Sequence, residues 1–363
     1  MLSAIVSLPE AITAEWLSKT LAIHNPAFES ATISTVDYQM IGTGKMGDNA
    51  RLTIEYQDNG HHHALPRSLV AKLPAADPVA KQMSASSGAY AREVLFYQQQ
   101  AQHTTMQLPK IYYSASDNKG EEFIILMEDM APAEPGDQLR GETIHRAEMA
   151  IDQVAKLHAA FWESDKLEGE HISKPYAGDN AAFGGALLQD AWPKFLDRFG
   201  AGLEPSAIEF GDLFVGHYSQ WMQGFKGPKT LVHSDFRSEN ILFNDHGENA
   251  SAITVDWQSI AISCGLTDVA YFLGGSLTCE LRRQHEKALV ARYRSALELA
   301  GIKTSETECW QQYREFAMNA FMPVILGAVY TGAAERSDQM FLTMAQRHFQ
   351  QCLDLQSAEF LLT

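Results

Sequence analysis

Three polar side chains between residues 230 and 257 have the types and the spacing that phosphoryl transfer requires. Asp235 follows His233 by two positions, Asn240 lies five residues after Asp235, and Asp256 ends the next apolar segment. In phosphoryl transfer one carboxylate orients the attacking hydroxyl or accepts its proton, while an amide oxygen and a second carboxylate hold Mg²⁺. The sequence therefore predicts Asp235 as the catalytic carboxylate and Asn240 and Asp256 as metal ligands.

The segment between Asn240 and Asp256 predicts a hairpin that brings these two residues close together. Residues 241–243 form an apolar run, turn formers follow at 244–247, and residues 252–255 have the composition of a returning strand. The alternative is a loop in which an aspartate and an asparagine satisfy backbone groups only. The ordered set of three favours phosphoryl transfer over that alternative.

A glycine-rich segment in the N-terminal part could close over the phosphates of a nucleotide. Gly42, Gly44 and Gly47 lie between two predicted strands. A dinucleotide-binding glycine motif is followed by a helix, whereas glycines between two strands let the backbone approach phosphates as kinases do. Lys45 at the tip of this loop could contact phosphate or remain solvated, and an ordinary hairpin remains the alternative.

A lysine near the end of the next apolar strand, 68–73, is the candidate phosphate-binding cation. Lys72 has apolar neighbours, and burying it without a partner would be costly. Glu93 follows in a segment of helical periodicity, with Tyr90 and Val94 on one face. We expect an ion pair between Lys72 and Glu93 that directs the ammonium group at the α- and β-phosphates. The alternative is a surface lysine and a solvated glutamate.

A change in composition after residue 130 predicts a linker, because two apolar strands give way to a proline- and glycine-containing segment at 131–136. We therefore expect an N-terminal nucleotide-binding lobe at 1–130 and a C-terminal catalytic and acceptor-binding lobe at 131–363. The second lobe has helical periodicity over 144–162, 281–299, 308–330 and 338–360. His158, on the first of these helices, is expected to be a packed and hydrogen-bonded core residue.

Composition excludes several classes of protein. The formal charge of the 363-residue chain is −17, which disfavours binding to nucleic acid or to anionic lipid. The four cysteines are widely spaced and predict neither a disulfide framework nor a zinc site. No secretion signal and no membrane-spanning segment is evident, so we expect a cytoplasmic enzyme. The adjacent histidines 61–63 are interpreted as loop residues.

Three motifs resemble the aminoglycoside phosphotransferase and choline kinase superfamily, most closely its ecdysteroid kinase-like branch and the bacterial relatives of that branch. They are His233-Ser234-Asp235-x-x-x-x-Asn240, Val255-Asp256-Trp257-Gln258 and Thr267-Asp268-Val269-Ala270-Tyr271-Phe272-Leu273. The resemblance extends from about residue 39 to residue 277. It implies an α+β, protein-kinase-like two-lobed fold with a β-rich N-lobe and a mostly helical C-lobe. It also implies ATP and Mg²⁺ as cofactors and a small-molecule hydroxyl as acceptor.

The same resemblance implies roles by position for three further residues. Glu128 and Met130 would bind adenine through their main-chain groups. Asp268 would brace the catalytic loop from the following helix.

Downstream of Asp256 the sequence leaves no room for a loop that docks a peptide substrate. Trp257-Gln258 replaces Phe-Gly, Asp268 follows closely, and no A-P-E motif is present. The acceptor is therefore predicted to be a small molecule. A lipophilic alcohol fits the family branch, with a hydroxyacyl thioester, an aminoglycoside or a choline-like molecule as alternatives. The apolar segment 316–330 is either a core helix or a wall of the acceptor pocket. An ATP-binding regulator with little catalysis is the alternative of another class.

Overall fold

The computed structural model describes residues 5–42, 46–57, 64–167, 169, 171–245 and 250–362. The chain forms two compact units. The first contains Met1–Gln102, Leu108–Pro132 and Asp256–Gln258, and the second contains His103–Gln107, Ala133–Val255 and Ser259–Thr363. The short segment that carries Asp256 thus belongs to the first unit, although the chain on both sides of it belongs to the second.

The first unit is built on a five-stranded antiparallel sheet with the order β1-β2-β3-β5-β4. Its elements are α1 (Ala14–His24), β1 (Ile33–Ile41), β2 (Gly47–Tyr56), β3 (Ser68–Pro74), α2 (Pro78–Ser86), α3 (Ala89–Leu95), β4 (Ile111–Ser116) and β5 (Phe123–Glu128). Thr13 caps α1 by accepting a hydrogen bond from the Trp16 amide at 3.2 Å. Leu17 and Leu21 of this helix are fully buried in the core of the unit.

Two features of the helical segment between β3 and β4 were not predicted. The apolar periodicity does not indicate α2, because serines interrupt it. The Asp77 side chain caps this helix by accepting a hydrogen bond from the Ala80 amide at 2.8 Å. The helix that carries Glu93 is also shorter than its periodicity suggests. It ends at Leu95 and continues as a π-helical turn over Phe96–Gln100.

The second unit is mostly helical and contains a three-stranded and a two-stranded sheet. Its elements are β6 (Glu134–Pro135), α4 (Ile144–Phe161), α5 (Gly178–Phe199), α6 (Pro205–Gly224), β7 (Thr230–Val232), β8 (Ile241–Asn244), β9 (Ser251–Thr254), β10 (Ala261–Ser263), α7 (Leu266–Ser276), α8 (Cys279–Leu299), α9 (Glu306–Phe316), α10 (Phe321–Tyr330) and α11 (Glu335–Asp354). The strand β8 pairs with β6 and β9, and β10 pairs with β7. None of the helices in the described ranges combines the length and the apolar character needed to cross a bilayer.

The single helix predicted over 308–330 is wrong, because the segment divides into α9, a 3₁₀ turn at Ala317–Ala320, and α10. Pro323 explains the break: proline is tolerated in the first turn of a helix but clashes with the preceding turn in a helix interior. Phe321, Val324 and Ile325 of α10 are almost completely buried. This face of the helix belongs to the core of the second unit.

Helices α5 and α6 approach each other closely at a glycine. A Cβ atom added to Gly211 would lie 2.4 Å from the ring of Trp192, which is a separation that atoms do not tolerate. Trp192 is nearly buried, and its indole nitrogen is held by Asp212 at 2.7 Å. The ring therefore cannot move aside easily.

A polar cluster is buried where α11 packs against α7. His348 is fully buried, and its Nδ1 atom lies 3.4 Å from Oε1 of Gln351. Gln351 in turn donates to the carbonyl oxygen of Ala270 at 3.1 Å. Burial, aided by the positive charges of Arg347 and Arg282, lowers the pKa of His348 to about 3. The imidazole is therefore neutral at physiological pH.

We expect Gly211→Ala to lower the free energy of unfolding by about 1–3 kcal/mol, because the added methyl group overpacks the contact with Trp192. The matched control is Gly216→Ala on the same helix, where an added Cβ atom meets nothing within 4 Å. That change should raise the free energy of unfolding by about 0.5–1 kcal/mol. Urea unfolding of both variants measures the difference, and equal stability of the two would contradict the close packing.

We also expect His348 to destabilise the fold in acid. Its folded-state pKa of about 3 lies below the unfolded value of about 6.5, so the unfolded chain binds the proton first and stability falls as pH decreases below about 6.5. Between about pH 7.5 and pH 5.5 the wild type should lose about 1.4 kcal/mol more than a His348→Gln variant. Urea unfolding at the two pH values tests this, and identical pH dependence would show that His348 does not carry the effect.

Candidate active site

Lys72 lies on β3 at the centre of a buried cluster of charges in the first unit. Its Nζ atom is 2.7 Å from Oε2 of Glu93 and 2.9 Å from Oδ1 of Asp256. The side chain of Lys72 is 7% exposed, that of Glu93 is 0% exposed and that of Asp256 is 37% exposed. The expected ion pair between Lys72 and Glu93 is therefore present, and Asp256 is its third member.

Burial and charge have opposite effects on the members of this cluster. Burial opposes the charge on Lys72, but Asp256 and Glu93 outweigh it and raise the pKa of the ammonium group. Burial also raises the pKa of Glu93, and the negative charge of Asp256 adds to this while Lys72 opposes it. The two carboxylates therefore hold Lys72 in its charged form.

The residue after Asp256 anchors the segment 256–258 to the helix that carries Glu93. The Trp257 amide donates to Oε1 of Glu93 at 3.2 Å, and the buried indole stacks on Phe96 with 3.8 Å between ring centroids. Arg92 donates to the carbonyl oxygen of Gln258 at 2.7 Å. Asp256 itself has a φ of 70°, in the left-handed region. The tryptophan that replaces the usual phenylalanine therefore joins Asp256 to α3.

The three glycines of the predicted phosphate loop have different positions. Gly42 directly follows β1 and has a φ of 76°, a conformation that favours glycine. Gly44 and Lys45 lie outside the described residues. Gly47 was expected in the loop but is the first residue of β2. A Cβ atom there would lie 3.0 Å from the carbonyl oxygen of Leu73, so close packing against β3 accounts for this glycine.

The two candidate adenine-binding residues lie at the end of β5, of which Glu128 is the last residue. The Glu128 amide donates to the carbonyl oxygen of Lys110 at 2.8 Å, so this N–H is used within the protein. Its side chain accepts from the Lys110 amide at 3.2 Å. Met130 lies two residues beyond and is partly exposed. A role for Glu128 in nucleotide binding would therefore use its carbonyl group.

In the second unit the loop that contains Asp235 is held by Asp268 of α7. Asp268 is fully buried and accepts hydrogen bonds from the amides of His233 at 2.7 Å and Ser234 at 2.9 Å. Ser234 has a φ of 68°, so these bonds stabilise a turn that a serine adopts only at a cost. His158 lies 3.2 Å from Asp268 and 2.9 Å from the hydroxyl of Tyr293. His158 is fully buried, as expected for a core histidine.

The carboxylate of Asp235 has three side-chain partners, one on α7 and two in its own loop. Tyr271 donates to Oδ1 at 3.0 Å, and Asn240 donates to Oδ2 at 2.8 Å. The Nε atom of Arg237 lies 3.3 Å from Oδ1 and 3.4 Å from Oδ2. The Asp235 side chain is 27% exposed. It is thus held in one orientation while remaining accessible.

The bonds of Asn240 indicate which of its atoms a cation could use. Its Nδ2 atom donates to the side chain and to the main-chain carbonyl of Asp235, at 2.8 and 2.9 Å. The amide carbonyl is then the group that remains for a metal, and oxygen is the donor that Mg²⁺ prefers.

The hairpin after Asn240 forms as predicted. Ile241 pairs with Thr254, and the Val255 amide donates to the carbonyl oxygen of Asn240 at 3.0 Å. Asp256 is the next residue of the chain.

Arg237 and Glu239 were not predicted from the sequence. Arg237 Nη1 lies 2.5 Å from Glu239, and Arg336 of α11 contacts the other oxygen of Glu239 at 2.9 Å. Burial opposes the charge of Arg237, but Asp235 and Glu239 raise its pKa overall. The alternation of acid, base and acid at positions 235, 237 and 239 is the sequence signal from which this pairing could have been predicted. Each acid of this loop is therefore paired with an arginine.

Within the described ranges no group of three or more His, Cys, Asp or Glu side chains could hold a metal ion alone. The predicted ligands, Asn240 and Asp256, would supply an amide oxygen and a carboxylate oxygen. Mg²⁺ in nucleotide sites is held by one or two such groups, and water and phosphate oxygens complete its coordination. The donor set fits a nucleotide-bound Mg²⁺ better than a metal site built from protein alone.

We expect Asp268→Asn to lower the free energy of unfolding by about 1–3 kcal/mol, because its NH₂ group would face a backbone N–H and leave a buried donor unsatisfied. The control is Asp197→Asn on the exposed side of α5, which should change stability by no more than about 0.5 kcal/mol. Urea unfolding measures both. An Asp268→Asn variant as stable as the control would contradict the bracing role.

The family model described as the ecdysteroid kinase-like family matches residues 42–303. A search of curated proteins finds no match. Among solved structures, choline kinase from Cryptosporidium parvum Iowa II is 12% identical with a TM-score of 0.55, over 94% of this chain and 95% of that chain. Plasmodium vivax ethanolamine kinase is 11% identical with a TM-score of 0.53, over 99% and 93%.

These similarities confirm the predicted protein-kinase-like α+β fold. The family match covers most of the chain, including the lysine cluster and the loop of Asp235. The chain belongs to the ecdysteroid kinase-like family and is a small-molecule kinase that acts on a hydroxyl acceptor.

Proposed function

We propose that the enzyme transfers the γ-phosphoryl group of ATP to a hydroxyl of a neutral, lipophilic alcohol in a Mg²⁺-dependent reaction. The observation that carries the proposal is the constrained carboxylate of Asp235, which three donors hold while it remains partly exposed. A carboxylate fixed in this way is suited to orient an attacking hydroxyl. Because the transition state of phosphoryl transfer is largely dissociative, orientation matters more than base strength.

The nucleotide side of the proposal rests on the lysine cluster. Lys72 would contact the α- and β-phosphates, and Glu93 would hold the ammonium group in place. Asn240 and Asp256 would hold Mg²⁺, which supplies charge neutralisation for the phosphates when bound. Gly42, Gly44 and Gly47 are proposed to form the phosphate-covering segment. Glu128 and Met130 are proposed to bind adenine through main-chain groups.

The charges near Asp235 favour a neutral acceptor over a cationic one. Recognition of an aminoglycoside or of choline would be served by acidic side chains available to the ligand. Glu239, the nearest acid of the loop, already pairs with Arg237 and Arg336. The family description, which refers to a steroid alcohol kinase, supports a lipophilic acceptor as well.

The test is Mg²⁺-dependent formation of ADP from ATP by the purified protein with four acceptor classes: sterols, hydroxyacyl thioesters, choline and aminoglycosides. We expect turnover with the sterol class and its loss when Mg²⁺ is removed by EDTA. Turnover with choline or an aminoglycoside would reject the neutral acceptor. ATP binding without turnover on any acceptor would favour a regulatory protein instead.

We expect Asp235→Ala to lower kcat by about 10²–10⁴-fold while the Kd for ATP stays within a factor of two. The reason is that Asp235 contacts the acceptor in this proposal and not the nucleotide. The control is Asp197→Ala, an exposed aspartate of the same unit, which should retain the kcat of the wild type. Turnover by Asp235→Ala close to that of the wild type would remove this residue from the catalytic role.

A further inference from the structure

Tyr271 of α7 contacts the catalytic carboxylate, although nothing in the sequence motif assigns it a role. Its hydroxyl lies 3.0 Å from Oδ1 of Asp235, and its side chain is 4% exposed. A carboxylate accepts hydrogen bonds and has none to give, so the phenol must be the donor. We propose that Tyr271 is a positioning residue that fixes the orientation of Asp235 for phosphoryl transfer. This inference rests on the proposed function.

One helical face fixes both the backbone and the side chain of the catalytic loop. Asp268 and Tyr271 are three residues apart on α7, so they lie on the same face of that helix. Asp268 binds the amides of His233 and Ser234. Tyr271 binds the side chain of the following residue, Asp235. The loop therefore cannot shift relative to α7 without breaking both sets of bonds.

The ring of Tyr271 is itself held in position by α11. It stacks on His348 with 5.2 Å between ring centroids and an interplanar angle of 6°. Both side chains are buried, and His348 is neutral at physiological pH. Burial and the neighbouring charge of Asp235 raise the pKa of Tyr271 well above its ordinary value. The hydroxyl therefore remains protonated at physiological pH and can donate to Asp235.

The hydrogen bond from Tyr271 selects an orientation of the Asp235 carboxylate that the contact with Arg237 does not select. Arg237 Nε lies at nearly equal distances from the two oxygens of Asp235, 3.3 and 3.4 Å, so it does not by itself select one orientation of the carboxylate. Asn240 binds Oδ2 and Tyr271 binds Oδ1. With both bonds present, the plane of the carboxylate is determined. Without the tyrosine hydroxyl, Oδ1 would lose its 3.0 Å bond and keep the longer contact with Arg237 at 3.3 Å.

The test is Tyr271→Phe, which removes one oxygen atom and keeps the buried ring. We expect kcat to fall about 10- to 100-fold, in keeping with the sensitivity of transfer to small errors in position. The KM for ATP should not change, because Tyr271 is proposed to act on Asp235 and not on the groups proposed to bind the nucleotide. The control is Tyr313→Phe, which removes another fully buried hydroxyl, one that bonds to Glu286 at 2.8 Å and Gln351 at 3.0 Å. It should lose stability and keep its kcat.

Two double variants separate this inference from the proposed function. If Tyr271 acts through Asp235, adding Tyr271→Phe to Asp235→Ala should not lower kcat further. In urea unfolding, which needs no activity, the effect of Tyr271→Phe should be smaller when Asp235 is already alanine. The Tyr313→Phe change should instead have the same effect on unfolding in both backgrounds.

Each outcome has a distinct meaning. Wild-type turnover together with unchanged kcat in Tyr271→Phe would overturn the positioning role and leave the proposed function standing. Strictly additive effects on unfolding would overturn the contact itself, whether or not an acceptor is found. The absence of wild-type turnover on every acceptor would reject the proposed function and with it the catalytic consequence of this contact.

Discussion

The burial of a charged lysine in the middle of a sheet is the constraint on which the first unit depends. An ammonium group that is 7% exposed is stable only with partners, and Lys72 has two: Glu93 of α3 and Asp256. This requirement orients α3 against the sheet and fixes the segment 256–258 beside it. The stacking of Trp257 on Phe96 and its bond to Glu93 complete the same contact.

A second buried carboxylate organises the second unit in a similar way. Asp268 satisfies two consecutive backbone amides of the loop that contains Asp235 and contacts His158, so it links α4, α7 and this loop. A turn with a left-handed serine would otherwise be unfavourable. These hydrogen bonds hold the loop in one conformation. Such positioning matters for phosphoryl transfer, in which the protein contributes position and charge more than covalent chemistry.

The surroundings of Asp235 also bear on the choice of acceptor. The distant relatives with solved structures include kinases named for choline and ethanolamine, but their identity to this chain is 11–12% and shows the fold alone. In this chain Arg237 pairs with both Asp235 and Glu239, and Arg336 pairs with Glu239. A net charge of −17 for the whole chain therefore says little about the loop itself. Local pairing, and not overall charge, determines what a site attracts.

The sequence by itself determined the chemistry and most of the local structure. The order of Asp235, Asn240 and Asp256 indicated phosphoryl transfer, and strand and helix periodicity placed Lys72 and Glu93 on elements that could pair. Tertiary structure decided the rest, because partners that are distant along the chain leave no periodic signal. Examples are the contact of Lys72 with Asp256, 184 residues away, and the bond from Tyr271 to Asp235, 36 residues away. The position of Gly47 within β2 likewise depended on packing against β3.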